Sequence, residues 1–278
     1  MHYLENNFSI AVNDITVSYT DNEKDVAPVL IFIHGFPFNK SMWNIQMKAL
    51  KDNYHVITYD VRGHGDSDEG NADFSIELFV NDLICLMDIL KINKAVLCGL
   101  SMGGYISLNA ISNFPERFDA LILSDTHCIA DTPEAMEKRM KAIENIRKSG
   151  VEKYADETIK NLFSPESFVT RKEEISAVRE MIIKTSVQSL CNTLLALSVR
   201  KETCSKLHEI KVPVLIMVGK EDKVTPPAAA QLMHEKIKDS FFYTLEHAGH
   251  LSNMENPGEF NSHLIKFIAS VYLQTNQV

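Results

Sequence analysis

Apolar residues in this chain follow two periods, and the periods alternate along it. Phe8 to Val12 and Ile15 to Tyr19 alternate apolar with polar at a spacing of two, separated by Asn13-Asp14. That is the signature of a β-hairpin with a tight polar turn. Val29-Leu30-Ile31-Phe32-Ile33 is instead a continuous apolar run, as expected of a strand buried on both faces. Val56 to Tyr59, Ala95 to Cys98, Leu121 to Leu123 and Val212 to Val218 repeat that pattern, and Ser240 to Leu245 reads as a last strand. Between the strands, Ser41 to Leu50 and Ile76 to Leu90 place apolar residues three and four apart, along one face of a helix. A closing helix is predicted from Pro257 to about Leu273. Strands alternating with helices predict an α/β fold, a mostly parallel eight-stranded sheet with right-handed crossovers and helices on both faces.

One stretch departs from the alternation. From about Cys128 to Ser205 no strand is predicted. Pro133 to Ser149, Val151 to Phe163 and Arg171 to Thr185 carry helical patterns, with Met136, Met140, Ile143 and Ile146 on one face of the first. Helices inserted between two sheet strands make a cap, not an independent domain. The predicted organisation is a core of residues 1–127 and 206–278 with a helical cap, residues 128–205, inserted in it. A cap that follows a strand's C-terminal end lies over the crevice where open α/β sheets bind ligands.

Composition narrows the partners. The chain has 278 residues, 45% of them hydrophobic and 23% charged, enough to bury a substantial core. A formal net charge of −9 argues against nucleic acid or an anionic membrane as a partner, since both need a basic face. No run approaches the roughly 20 apolar residues that span a bilayer. Met1-His2-Tyr3-Leu4-Glu5-Asn6-Asn7 lacks the basic start and apolar core of a signal peptide. The five cysteines (Cys85, Cys98, Cys128, Cys191 and Cys204) are odd in number, scattered and mostly set among apolar neighbours. They are read as reduced core residues of a cytoplasmic protein. No C-x-x-C pair is present, and neither a metal nor another cofactor is expected. Nothing in the pattern decides the oligomeric state.

The candidate chemistry centres on Gly99-Leu100-Ser101-Met102-Gly103, between the predicted strand at Ala95 and a helix opening at Gly104. A serine between two glycines at a strand-to-helix junction is a nucleophile elbow. The turn leaves no room for a β-carbon at either flank and holds the central residue in a strained conformation. The helix behind it aims backbone N–H groups and a positive dipole end at the same spot. A serine hydroxyl needs an adjacent base, itself oriented by an acid. Glu246-His247-Ala248-Gly249-His250 follows the last strand, and His250, preceded by a flexible glycine, is preferred as base over His247. For the acid, Asp222 in the loop after Val218 is preferred, and Asp125 after the strand ending at Ser124 is the alternative. An oxyanion hole is expected from the backbone N–H of Met102 and of Phe36 in His34-Gly35-Phe36-Pro37. His247 and His250 lack a carboxylate that would complete a metal site. The glycine-rich Asp60-Val61-Arg62-Gly63-His64-Gly65-Asp66-Ser67 lacks the ending of a phosphate loop and is read as a structural turn laced by Arg62. Trp43 is assigned to packing of the first helix.

Taken together, these five motifs in this order resemble the α/β-hydrolase fold superfamily over nearly the whole chain. The Gly-Leu-Ser-Met-Gly-Gly elbow and the short helical cap are most similar to the branch of 3-oxoadipate enol-lactonases, small carboxylesterases and cofactor-free haloperoxidases. The resemblance implies a hydrolase of a small-molecule ester, lactone or thioester, acting through an acyl-enzyme with Ser101, Asp222 and His250. Other chemistry on the same three residues (perhydrolysis, C–C bond hydrolysis) and slow-turnover ligand sensing are the alternatives. An enol-lactonase needs cationic groups for its carboxylated substrate, and the cap offers Arg139, Arg147, Arg171, Arg179 and several lysines.

Overall fold

The computed structural model describes residues 7–24 and 27–275. The expectation drawn from Met1 to Asn6 lies outside the described residues. The chain opens with the predicted hairpin, β1 (Asn7–Val12) and β2 (Ile15–Asp21), whose turn residue Asn13 takes a left-handed φ of 52°. Four units then alternate strand and helix: β3 (Val29–Ile33) with α1 (Asn44–Leu50), β4 (His55–Tyr59) with α2 (Ile76–Ile89), β5 (Ala95–Leu100) with α3 (Met102–Asn113), and β6 (Phe118–Ser124) with the cap. After the cap come β7 (Val214–Gly219), α9 (Pro227–Lys236), β8 (Phe241–Leu245), the single turn α10 (Ser252–Glu255) and α11 (Pro257–Thr275).

The sheet runs β1-β2-β4-β3-β5-β6-β7-β8. Only β1/β2 and β2/β4 pair antiparallel; every pairing from β4 to β8 is parallel. The two-residue period of a strand divides the core between the two faces. In β5, Ala95 and Leu97 join the cluster under α2 and α3, while Val96 and Cys98 join the one under α1 and α11, where Trp43 packs fully buried against Phe32. All six β5 residues are buried, which is why this strand reads as an unbroken apolar run.

Between β6 and β7 lie α4 (Pro133–Ser149), α5 (Val151–Leu162), the single turn α6 (Ser167–Thr170), α7 (Lys172–Lys184) and α8 (Val187–Ser198). Local signals fix these bounds. Thr132 caps α4 by accepting from the Ala135 N–H, Pro133 opens its first turn, and Gly150 ends it at φ 84°. None of the described helices is long and apolar enough to cross a membrane.

The reading of all five cysteines as reduced is corrected here. Cys128 and Cys204 form a disulfide, while Cys85, Cys98 and Cys191 stay free. The cause is topological. The cap leaves the sheet after β6 and returns before β7, so its two ends meet at a neck, with the Cys128 and Cys204 Cα atoms 4.8 Å apart. The Thr203 N–H also donates to the Cys128 carbonyl at 2.8 Å across this neck. Disulfides persist in oxidising compartments, so the cysteines no longer argue for the cytoplasm.

Candidate active site

Ser101 stands at the junction of β5 and α3 with φ 54° and ψ −111°, a conformation an L-residue adopts only under tertiary constraint. The constraint is close packing. A β-carbon on Gly99 would come within 2.2 Å of the Gly103 carbonyl oxygen, and one on Gly103 within 2.2 Å of the Ile33 oxygen. The Ser101 carbonyl accepts from the Gly104 N–H at 2.9 Å and from the Thr126 hydroxyl at 2.8 Å, which pins the turn from outside.

His250 Nε2 lies 3.0 Å from Ser101 Oγ, and His250 Nδ1 lies 2.8 Å from Asp222 Oδ2. The network sets the tautomer. Nδ1–H donates to the carboxylate, which leaves Nε2 to accept the serine proton. Asp222 is itself held by the N–H groups of Val224 and Thr225 and by the Thr225 hydroxyl at 2.7 Å. All three residues are under 10% exposed. Burial alone pushes the His250 imidazole toward neutrality, but the Asp222 charge and hydrogen bond, with Asp125 and Glu255 beyond, raise its pKa above the usual 6.5. Burial likewise pushes Asp222 up, and the His250 charge and the hydrogen bonds from His250 and Thr225 bring it below the ordinary carboxylate value.

The structure separates the paired alternatives. His247 is 70% exposed and contacts Glu166. Asp125 is fully buried and accepts from the Gly219 N–H and the Ser124 and Ser252 hydroxyls, with no hydrogen bond to His250. It ties the end of β6 to the end of β7 and to the turn just after His250. Burial and the Asp222 charge raise its pKa.

Phe36 and Met102 flank Ser101 in one cavity of about 370 Å³. Met102 is the first residue of α3, so its N–H has no partner inside the helix. The Phe36 loop runs beside the serine: a β-carbon on Gly35 would lie 3.2 Å from Ser101 Cβ. His34 anchors that loop, its Nδ1–H donating to the Gly35 carbonyl at 2.8 Å and its Nε2 accepting from the Val61 N–H at 2.9 Å. Tyr105, Leu162, Leu194, Leu197 and Val224 add the apolar wall, and Lys138, Arg139, Thr158 and Asn161 the polar one. Of the four cap arginines named from sequence, only Arg139 lines this cavity. Arg171 faces Glu174, Arg179 faces Asp156, and Arg147 is exposed.

Two buried residues were not anticipated. Glu255, 3% exposed, accepts from the Gly249 and Leu251 N–H groups on either side of His250. Its second oxygen takes the Ser164 N–H and the Ser167 hydroxyl, both at 2.7 Å. One carboxylate thus fastens the His250 loop to the cap. Arg200, just after α8, forms an ion pair with Asp131 at 2.5 Å and lies 4.3 Å over the Tyr105 ring. Arg62, by contrast, does lace its turn, reaching Asp82 through Nε and Nη2 and Asp14 at 2.7 Å.

The sequence profile of the α/β hydrolase fold matches residues 28–167 and 200–257, the span that carries the elbow, the Asp222 loop and His250. The chain belongs to the α/β hydrolase fold family. Within that family it is 32% identical over 256 residues to a 3-oxoadipate enol-lactonase from Acinetobacter baylyi, covering 91% of this chain and 93% of that one. A thermophilic esterase from Thermogutta terrifontis, solved with malate bound, superposes at a TM-score of 0.90 with 30% identity, covering 96% and 99% of the two chains. An enol-lactonase from Burkholderia xenovorans superposes at 0.88 with 26% identity, covering 94% and 100%. These hydrolases span the cap as well as the sheet.

Proposed function

We propose that the protein is a serine hydrolase of small-molecule carboxylic esters or lactones, thioesters included, with Ser101, His250 and Asp222 as its catalytic triad. The observation that carries this reading is the unbroken hydrogen-bond chain from Asp222 through His250 to a strained serine at the floor of a cavity. Ser101 Oγ attacks the carbonyl carbon as His250 Nε2 takes its proton, and Asp222 stabilises the imidazolium that forms. The N–H groups of Phe36 and Met102 receive the oxyanion; losing one such donor costs about 100- to 1,000-fold in rate. His250 gives the proton to the departing alkoxide, or thiolate, as its bond to the carbonyl carbon breaks and leaves an acyl-enzyme; the alcohol or thiol departs from an ester or thioester and stays tethered to the acyl chain of a lactone. Water, deprotonated by His250, then attacks the acyl carbonyl, the bond to Ser101 Oγ breaks, Oγ takes the proton back from His250, and the acid leaves.

The cavity also carries charge. Arg139 and Lys138 stand among its lining residues, which supports an ester or lactone bearing an anionic group. The enol-lactonase relatives, and a neighbour solved with malate, a dicarboxylate, point the same way. The test is hydrolysis of 4-nitrophenyl esters from acetate to decanoate by the wild type and by Ser101→Ala. Turnover that disappears in the variant supports the reading. Turnover that survives it removes Ser101 from the chemistry, and a folded wild type inert on every ester refutes general esterase activity.

A further inference from the structure

Arg139, which lines the cavity, is paired with a carboxylate that is itself braced. Its Nε donates to Asp131 Oδ2 at 2.5 Å and its Nη2 to Oδ1 at 3.4 Å, leaving Nη1 without a protein partner among the described residues. Asp131 Oδ1 also accepts from Arg200 Nη1 at 2.5 Å. Arg200 is fixed in turn by two carbonyls from opposite ends of the cap, Leu197 at 2.7 Å and Ile129 at 2.9 Å. Its guanidinium stacks over Tyr105, whose hydroxyl lies 3.0 Å from His127 Nε2. The Ile129 N–H donates to His127 Nδ1 at 3.2 Å, and Arg200 Nη2 stands 3.4 Å from His127 Nε2, so the imidazole packs against the guanidinium as well as the tyrosine. The Asp131 and Arg200 side chains are 5% and 3% exposed and that of Arg139 is 23%, so only Arg139 is open to a ligand.

We propose that Asp131, braced by Arg200, is a positioning residue that holds the free edge of Arg139 in the Ser101 cavity to receive an anionic group of the substrate. This rests on the anionic-ester reading above and deepens it. Two opposed effects give the proposal its sign. Two guanidiniums share one carboxylate, so replacing Asp131 by asparagine raises the local charge by one. Long-range attraction alone then favours an anionic substrate. Positioning works the other way, because a released arginine has rotamer freedom that must be lost again on binding.

The experiment compares kcat/KM for mono-4-nitrophenyl glutarate with that for 4-nitrophenyl pentanoate, esters of similar length that differ in a terminal carboxylate. The ratio of the two is the readout, so any loss common to both cancels. Arg139→Met is expected to lower the ratio by about 30-fold, the worth of a charge-assisted hydrogen bond. Asp131→Asn is expected to lower it by about tenfold, through KM. Arg200→Lys keeps the charge but loses the planar fork and is expected to lower it several-fold. A ratio unchanged or raised in Asp131→Asn, while Arg139→Met lowers it, overturns the proposal. If Asp131→Asn does not fold, Arg200→Lys decides by the same criterion. An unchanged ratio in Arg139→Met removes the anionic subsite itself. Wild type inactive on both esters refutes the hydrolase reading instead, and calorimetric glutarate binding to the same variants then tests the positioning directly, equal affinities overturning it.

Discussion

Replacing Glu255 by glutamine keeps the volume and changes one acceptor into a donor. The carboxylate has no spare side: one oxygen serves Gly249 and Leu251 and the other Ser164 and Ser167. The amide NH₂ is best placed toward Ser164 and Ser167, because the Ser167 hydroxyl can rotate to accept while a backbone N–H cannot. The Ser164 N–H is then left buried without a partner, at a cost of about 1–3 kcal/mol. For a chain of this size that corresponds to a Tm lower by roughly 3–10 °C. The other oxygen also loses its charge, weakening the grip on the N–H groups that flank His250. A displacement of the imidazole approaching 1 Å costs about 100-fold, so kcat on a 4-nitrophenyl ester is expected to fall tenfold or more with KM little changed. Calorimetric melting and ester kinetics on the purified variant read both effects. A variant with wild-type Tm and kcat would falsify the assignment of Glu255 as the clamp on this loop.

Three further expectations follow from the same geometry. The raised His250 pKa places the acid limb of kcat/KM above pH 6.5, because activity needs neutral imidazole and falls as pH drops through that value; Asp222→Asn moves the limb to lower pH, and a wild-type limb at or below 6.5 contradicts the pairing. Under denaturing, non-reducing conditions thiol titration should find three free cysteines of five, and Cys128→Ser with Cys204→Ser should destabilise by up to about 4 kcal/mol, given the 76-residue separation it bridges; five titratable thiols under the same conditions refute the bridge. Gly103→Ala drives a β-carbon against the Ile33 backbone oxygen and should cost about 3 kcal/mol or more, so a Tm within a degree or two of wild type would show that α3 can shift away from β3.

What the sequence makes legible is what is local in it. The elbow is five consecutive residues, and α4 is bounded by Thr132-Pro133 and Gly150, signals within a few residues of its ends. The serine, aspartate and histidine loops are each marked by a nearby strand and glycine. That Asp222 rather than Asp125 meets His250 is not local, since both follow buried parallel strands and only the packing of β7 against β8 decides between them. The same limit hides the Cys128–Cys204 bridge, the Asp131–Arg200 pair and the Glu255 contact with Ser164, whose partners stand 76, 69 and 91 residues apart. The helix α8 escaped for another reason. Its buried Leu190, Cys191, Leu194 and Leu197 share the helix with exposed Val187 and Leu195, so no polar face marks the period.

The closeness of the cap's two ends has a consequence for how this chain can change. Neighbouring Cα atoms along a polypeptide are 3.80 Å apart, and the neck at Cys128 and Cys204 spans only 4.8 Å. A linker of one or two residues can therefore stand in for everything between them without pulling on β6 or β7. The segment is not free of the sheet, however: Ser164 and Ser167 hold Glu255, and the Leu162 carbonyl accepts from the His250 N–H at 2.7 Å. Any segment joined at this neck in its place must bring those three contacts with it to keep the imidazole where it stands.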